Sequence, residues 1–187
     1  MRSATQPTSS EAYARGRKNS SRSVTDALCT RCGLCCDGTL FGDVELAGPA
    51  EATRLEILGL DVDHDEADAE LLSLPCAGLR GTRCSIYSHR PQCCRTFECR
   101  LLQDTQRGVV TVDHALTRIA HARAQVERVK TLLAQTATHQ VTLPLRERCA
   151  EAIAAARGSA SASTRAVAAL EAAMADVAYT TRTTFLG

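Results

Sequence analysis

The chain has 187 residues and a formal charge of +1, from 22 basic and 21 acidic side chains. That balance argues against a dedicated nucleic-acid binder, whose binding domain is normally strongly basic, and the length suits one compact domain with tails, or one and a half. With no Trp, three Phe and three Tyr, much of the apolar content is alanine and cysteine; alanine buries little area per residue, so a conventional core is expected to be thin.

Taken in chain order, residues 1–25 read as a disordered Ser/Thr/Arg-rich tail. They contain no apolar run of roughly 7–15 residues, as a secretory signal needs. Nor does any later stretch approach the roughly 20 apolar residues of a membrane span. A cytoplasmic protein without membrane contact is therefore expected, in a compartment that keeps thiols reduced.

The next stretch, CTRCGLCC at residues 29–36, places four cysteines in eight positions. Six more stand at positions 76, 84, 93, 94, 99 and 149. A disulfide framework conflicts with a reducing compartment, and scattered buried cysteines do not account for the i, i+3, i+6 spacing of Cys29, Cys32 and Cys35. Metal ligation does. A Cys-x-x-Cys turn directs two thiolates at one centre, and a third at the same interval is how bacterial ferredoxin loops wrap a cubane.

The acidic segment DVDHDEADAE, residues 61–70, reads as a solvated face that includes His64. Beyond it, CAGLRGTRC (76–84) predicts a hairpin, with Gly78 and Gly81 relaxing the turn between Cys76 and Cys84. SIY (85–87) adds a short β-prone stretch that Pro91 ends. CCRTFECR (93–100) then offers Cys93, Cys94 and Cys99, with Phe97 as the large apolar residue to shield them. Arg80, Arg83, Arg90, Arg95 and Arg100 stand against the single acid Glu98, and guanidinium groups would offset the negative charge of a tetrathiolate centre.

These segments resemble the YkgJ-like cysteine-cluster family, the zinc- or iron-chelating CxxCxxCC domain. The resemblance is carried by CTRCGLCC, then DVELAGPAEATRLEILGL, then CSIYSHRPQCCRTFEC, and spans roughly residues 27–102. It implies metal ligation by Cys29, Cys32, Cys35, Cys36, Cys76, Cys84, Cys94 and Cys99, with Cys93 at a variable position and Cys149 outside the domain. It implies either a [4Fe–4S] iron–sulfur cluster or Zn2+ as the cofactor. Among relatives, the flagellin lysine methylase resembles a cluster-bearing enzyme that uses S-adenosylmethionine. Adjacent residues in extended chain point to opposite sides, so Cys35 and Cys36 are poorly placed to serve one ion together. The two cysteine clusters are then expected to fold over each other and hold two four-ligand sites, or one cubane plus a second metal.

Nothing assigns a catalytic residue or a further cofactor site. No G-x-G-x-x-G follows a strand, and no P-loop or Ser/His/Asp set is assembled, so the isolated chain is not expected to be an enzyme. His89 reads as an exposed loop histidine, and Cys93, spare and flanked by arginines, as a candidate reactive thiol.

The remainder reads as helical scaffold. Val112, Ile119, Val126 and Leu133 recur every seven residues, with Leu116, Val129 and Leu132 in the same stripe. Asp113 is the expected cap of a helix reaching about residue 138. His114, His121 and His139 lie on this stretch. Pro144 opens a second helix, LRERCAEAIAAAR, ended by Gly158, and STRAVAALEAAMADVAY makes a third. The sequence therefore predicts an α-rich fold with minor β. A tail (1–25) precedes an irregular cysteine-cluster metal module with a short β-hairpin (26–103), and a C-terminal helical hairpin or small bundle (104–187) packs on it. The expected function is metal binding in redox, sensing or metal handling. The alternatives are a structural zinc module for protein–protein contact through the C-terminal helices, and a component of a cluster-dependent, methylase-like enzyme.

Overall fold

The computed structural model describes residues 24–65, 67–136, 141–158 and 164–187. The expected tail thus lies outside the described residues except for its last two, which are already helical.

A helix over residues 24–32 (α1) carries the first two cysteines. The chain then forms β1 (Asp43–Glu45), α2 (Pro49–Ile57), β2 (Val62–His64) and β3 (Glu70–Ser73). A hairpin follows, β4 (Leu79–Arg80) and β5 (Arg83–Cys84), and then a single 3-10 turn at Tyr87–His89 and the short helices α3 (Gln92–Thr96) and α4 (Arg100–Gln106). The long helix α5 (Val112–Leu133), α6 (Leu145–Arg157) and α7 (Thr164–Thr180) complete the chain, whose end winds into wider π-type turns at Thr181–Leu186. The fold is α-rich with minor β, as the sequence predicts.

β3 is the centre of an antiparallel sheet of order β1-β3-β2, with Val44 and Val62 both opposite Leu72. α2 lays Ala52 and Leu55 onto it, and these with Leu46, Leu60 and Leu72 form a small buried core. The sequence reading missed this sheet. Its strands have three or four residues each, and β2 lies in the acidic run, where Asp63 and His64 are exposed as a solvated face requires. His64 there pairs with Glu70 at 2.9 Å across β2 and β3.

The larger core belongs to the helices. α5 buries Ala115, Ile119, Ala122, Val126, Val129 and Leu133 along one stripe, the spacing an amphipathic helix requires. α6 adds Leu145, Cys149 and Ala152, and α7 adds Leu170, Ala173 and Val177. Small alanines at these contacts let the backbones approach closely. The stripe is closed from the cysteine-bearing side by Leu28 and Leu34, near α1, and by Leu101 and Leu102 of α4, all in the same buried cluster. Phe185, from the terminal turns, is 1% exposed within it.

Three local expectations are corrected. α5 is capped by Thr111, whose Oγ1 accepts from the His114 amide at 3.3 Å, while Asp113 sits one residue inside. A hydroxyl directly before the first helical residue reaches that amide, whereas a side chain at Asp113 points away from it. α5 ends at Leu133; residue 138 and His139 lie outside the described residues. SIY forms a turn leading into the 3-10 turn rather than a strand, because the β5 strand already ends at Cys84 and Pro91 follows too soon for further pairing. The predicted ends of α6 hold: Pro144 precedes its first residue and Gly158 caps its last.

Candidate metal centre

α1 ends on Cys32. Cys29 and Cys32, three apart on its last turn, share one face. The CTRC stretch is therefore helical rather than a ferredoxin-type loop; an i, i+3 cysteine pair fits either geometry. Gly33 stops the helix with φ +74°, and a Cβ there would sit 3.3 Å from the Thr82 Cα. Both the left-handed backbone and the close approach call for glycine. The amides of Cys36 and Asp37 then fold back onto the Gly33 carbonyl, each at 3.0 Å, making the tight turn that presents Cys35 and Cys36.

The second cysteine cluster is tied onto this turn by backbone. The Cys76 amide donates to the Cys36 carbonyl at 2.8 Å, and Thr82 Oγ1, at the hairpin tip, donates to the Thr30 carbonyl at 2.6 Å. The hairpin pairs Leu79 with Cys84, so Cys84 returns beside Cys76, as the two glycines predict; Gly81 adopts φ +62° at the turn. The Gly78 amide points at the Cys76 sulfur at 3.3 Å, a contact that favours thiolate. Buried Pro91 starts α3, which holds Cys93 and Cys94 in its first turn. Cys99 occupies the N-cap position of α4.

Nine of the ten cysteines are half-buried, and Cys149 is buried far off in the helical core. Burial, first, and then the nearby Cys99 push the Cys29 thiol up to about 11. Burial pushes Cys32 up to about 12, partly opposed by the Leu34 amide. Cys36 rises to about 12 through burial and then the charges of Cys76 and Cys84, and Cys35, Cys76 and Cys99 rise chiefly through burial as well. The amides of Leu102 and Leu101 work against that rise at Cys99, although its thiol makes no capping hydrogen bond. Cys93 and Cys94 lie 4.0 Å apart, sulfur to sulfur. Their shared hydrogen bond holds Cys93 down, to about 7, and Cys94 up.

Of the five arginines expected to balance charge, Arg90 meets the thiols: it favours the thiolates of both Cys29 and Cys36. Its Nε is buried with no hydrogen-bond partner among the described residues, and its guanidinium carbon lies 3.9 Å from the Tyr87 ring centroid. Arg80 instead donates to the carbonyls of Ala77 and Leu79, Arg100 lies 3.8 Å from Asp104, and Arg83 and Arg95 are exposed. Phe97, expected to shield the thiols, is 40% exposed and packs edge-on against Phe41 at 5.1 Å. His89 is exposed. No motif points to Arg123, whose Nη1 donates to the Cys32 carbonyl at 2.8 Å from 91 positions away. Its place on the α5 surface carries no local pattern.

Among the described residues no three His, Cys, Asp or Glu side chains stand close enough to hold an ion as they are. The thiols are gathered and protonated rather than closed around a point. The donor set fits a soft metal nonetheless: eight half-buried thiols close enough that ionising one disfavours ionising its neighbours, an amide aimed at one sulfur, and an arginine whose buried Nε has no hydrogen-bond partner among the described residues.

The chain is thus an α-rich protein whose irregular module gathers its thiols from five elements into a cysteine cluster. Residues 28–113 match the CxxCxxCC family model, described as "Putative zinc- or iron-chelating domain". That segment, which runs from α1 into the first turn of α5, is thus similar to a zinc- or iron-chelating CxxCxxCC domain. Neither the curated proteins nor the solved structures include a match to the chain. Among the described residues no helix is long and apolar enough to cross a membrane.

Proposed function

We propose that Cys29, Cys32, Cys35, Cys36, Cys76, Cys84, Cys94 and Cys99 hold zinc or an iron–sulfur cluster as thiolates, and that the chain serves redox, sensing or metal handling in the cytoplasm. The observation that carries this reading is the Cys76–Cys36 backbone bond of 2.8 Å, which joins two cysteine clusters 40 positions apart. Folding has brought thiols together at the cost of raising their proton affinity, an arrangement that metal ligation relieves. Iron–sulfur occupancy is favoured by the i, i+3, i+6 spacing of Cys29, Cys32 and Cys35. The structural zinc reading is favoured by a different observation: Cys29, Cys32 and Cys99 pack directly against the helical core, so a metal there would brace the helices.

Metal and sulfide analysis of protein purified without oxygen tests this. Acid-labile sulfide with a broad visible absorption band identifies a cluster; zinc without sulfide identifies the structural reading; a metal-free, fully reactive set of thiols contradicts both. The pH dependence has a definite sign. Thiols held near 11 and 12 (Cys29, Cys32, Cys36) are protonated at neutral pH, so binding must release protons and retention must fall as the buffer is acidified. Proton release measured in weakly buffered metal titrations should rise to several per chain, and binding without release would contradict ligation by these thiols.

A further inference from the structure

The cysteines do not converge as one group of eight. Cys29 and Cys32, on the last turn of α1, and Cys99, at the head of α4, pack against the helical core. Cys76 packs against the other core, beside the sheet and α2. The backbone bond from Cys76 to the Cys36 carbonyl fixes Cys36 on that second side, and the hairpin returns Cys84 there, with the Ser85 amide on the Gly78 carbonyl at 2.8 Å. The two remaining thiols follow their neighbours. With Cys36 tied to the sheet side, its chain neighbour Cys35 is left to the side of Cys29, Cys32 and Cys99, whose charges act on its thiol together with that of Cys36. Cys94 lies 4.0 Å, sulfur to sulfur, from Cys93, which packs against the sheet-side core, and the charges of Cys36 and Cys76 act on its thiol besides that of Cys93.

We infer that the eight thiols form two separate four-thiolate centres for soft metal, Cys29/Cys32/Cys35/Cys99 and Cys36/Cys76/Cys84/Cys94, meeting at the Cys35–Cys36 peptide bond. This rests on the metal-holding function proposed above. It resolves the pair of adjacent cysteines: one side chain serves each centre, which neighbouring residues can do where they could not share a single ion. It also gives Arg90 a place. Its buried Nε has no partner among the described residues, and its charge acts on Cys29 of one set and on Cys36 of the other. A guanidinium between two anionic centres lowers the repulsion between them. Stacking on Tyr87, whose hydroxyl donates to Asp26 Oδ1 at 2.8 Å, holds it there.

The test uses the wild-type protein purified without oxygen with its metal in place. Chelator is added in steps, each step is quenched with an alkylating agent, and modified cysteines are mapped by mass spectrometry. The expected result is two blocks of four, Cys29, Cys32, Cys35 and Cys99 opening together and Cys36, Cys76, Cys84 and Cys94 opening together. A block that mixes the two sets, or all eight opening in one step, overturns the division. Cys99→Ser and Cys76→Ser give a second readout: each should lose about half of the bound metal, and their alkylation patterns should be complementary. Sulfide analysis of each variant tells cluster from zinc in the surviving centre. Protein that holds no metal, with all eight thiols reactive from the start, defeats the metal-holding function itself, whereas metal retained with a mixed block defeats only the division.

Discussion

The helical region and the sheet region of this molecule exclude water by different means. Between Val112 and Leu186, three helices and the terminal turns bury one cluster of apolar side chains, Ile119, Val126, Val129, Leu133, Leu145, Leu170, Val177 and Phe185 among them. Between Asp43 and Thr96, the buried cluster is Leu46, Ala52, Leu55, Leu60 and Leu72, with Leu74 also buried. Strands of two to four residues add few backbone bonds. The difference teaches where a metal matters. The helices hold the larger apolar core, while the sheet, hairpin and α3 have thiols beside a small one, and under the proposed function ligation would supply the missing cross-links there.

The comparison breaks most visibly at Cys94. Cys94→Ser would remove a ligand from the proposed sheet-side centre, since a serine hydroxyl is not a thiolate at neutral pH. Metal analysis should show that centre empty, with protease sensitivity rising in residues 43–96 and not in α5–α7. Leu133→Ala tests the other region: Leu133 is 1% exposed in the helical core, so stability should fall by about 2–5 kcal/mol in denaturant unfolding. Its metal content should be unchanged. Gly33→Ala acts at the seam, where φ is +74° and Thr82 approaches to 3.3 Å. A loss of about 1–2 kcal/mol is expected from the left-handed backbone alone, together with earlier metal release in chelator titrations. Cys93→Ser is the smallest change. It alters one atom next to Cys94 and should leave metal content within error of wild type, as should Cys149→Ser in the distant core; equal losses from Cys93→Ser and Cys94→Ser would shift the ligand register by one.

Much of this was legible because turn chemistry is local. Gly78 and Gly81 mark the hairpin, and Pro144 and Gly158 mark both ends of α6, since each acts through its own backbone torsions. The α5 stripe was legible from its period, with Ile119, Val126 and Leu133 buried as expected and Val112, the first helical residue, half-buried. The sheet was not legible. Its central strand, ELLS, is too short to show alternation, and its partners DVE and VDH are acidic, so the pairing is decided by α2 and Leu72 rather than by the strands themselves. The helical form of CTRC was hidden because thiols three apart suit a helix turn and a metal loop equally. The eight cysteines could be singled out by pattern, but not their grouping. That depends on contacts such as Cys76 to Cys36 and on which core each thiol faces, both set by tertiary packing.

Hydrogen exchange resolved along the chain, before and after metal is stripped by a strong chelator under reducing conditions, tests the central claim most directly. The account predicts that amides of residues 43–96 lose protection while α5, α6 and α7 keep theirs, with structural metal contributing on the order of 10 kcal/mol to the ordering of that segment. Unchanged protection across residues 43–96 in fully metal-free protein would contradict it.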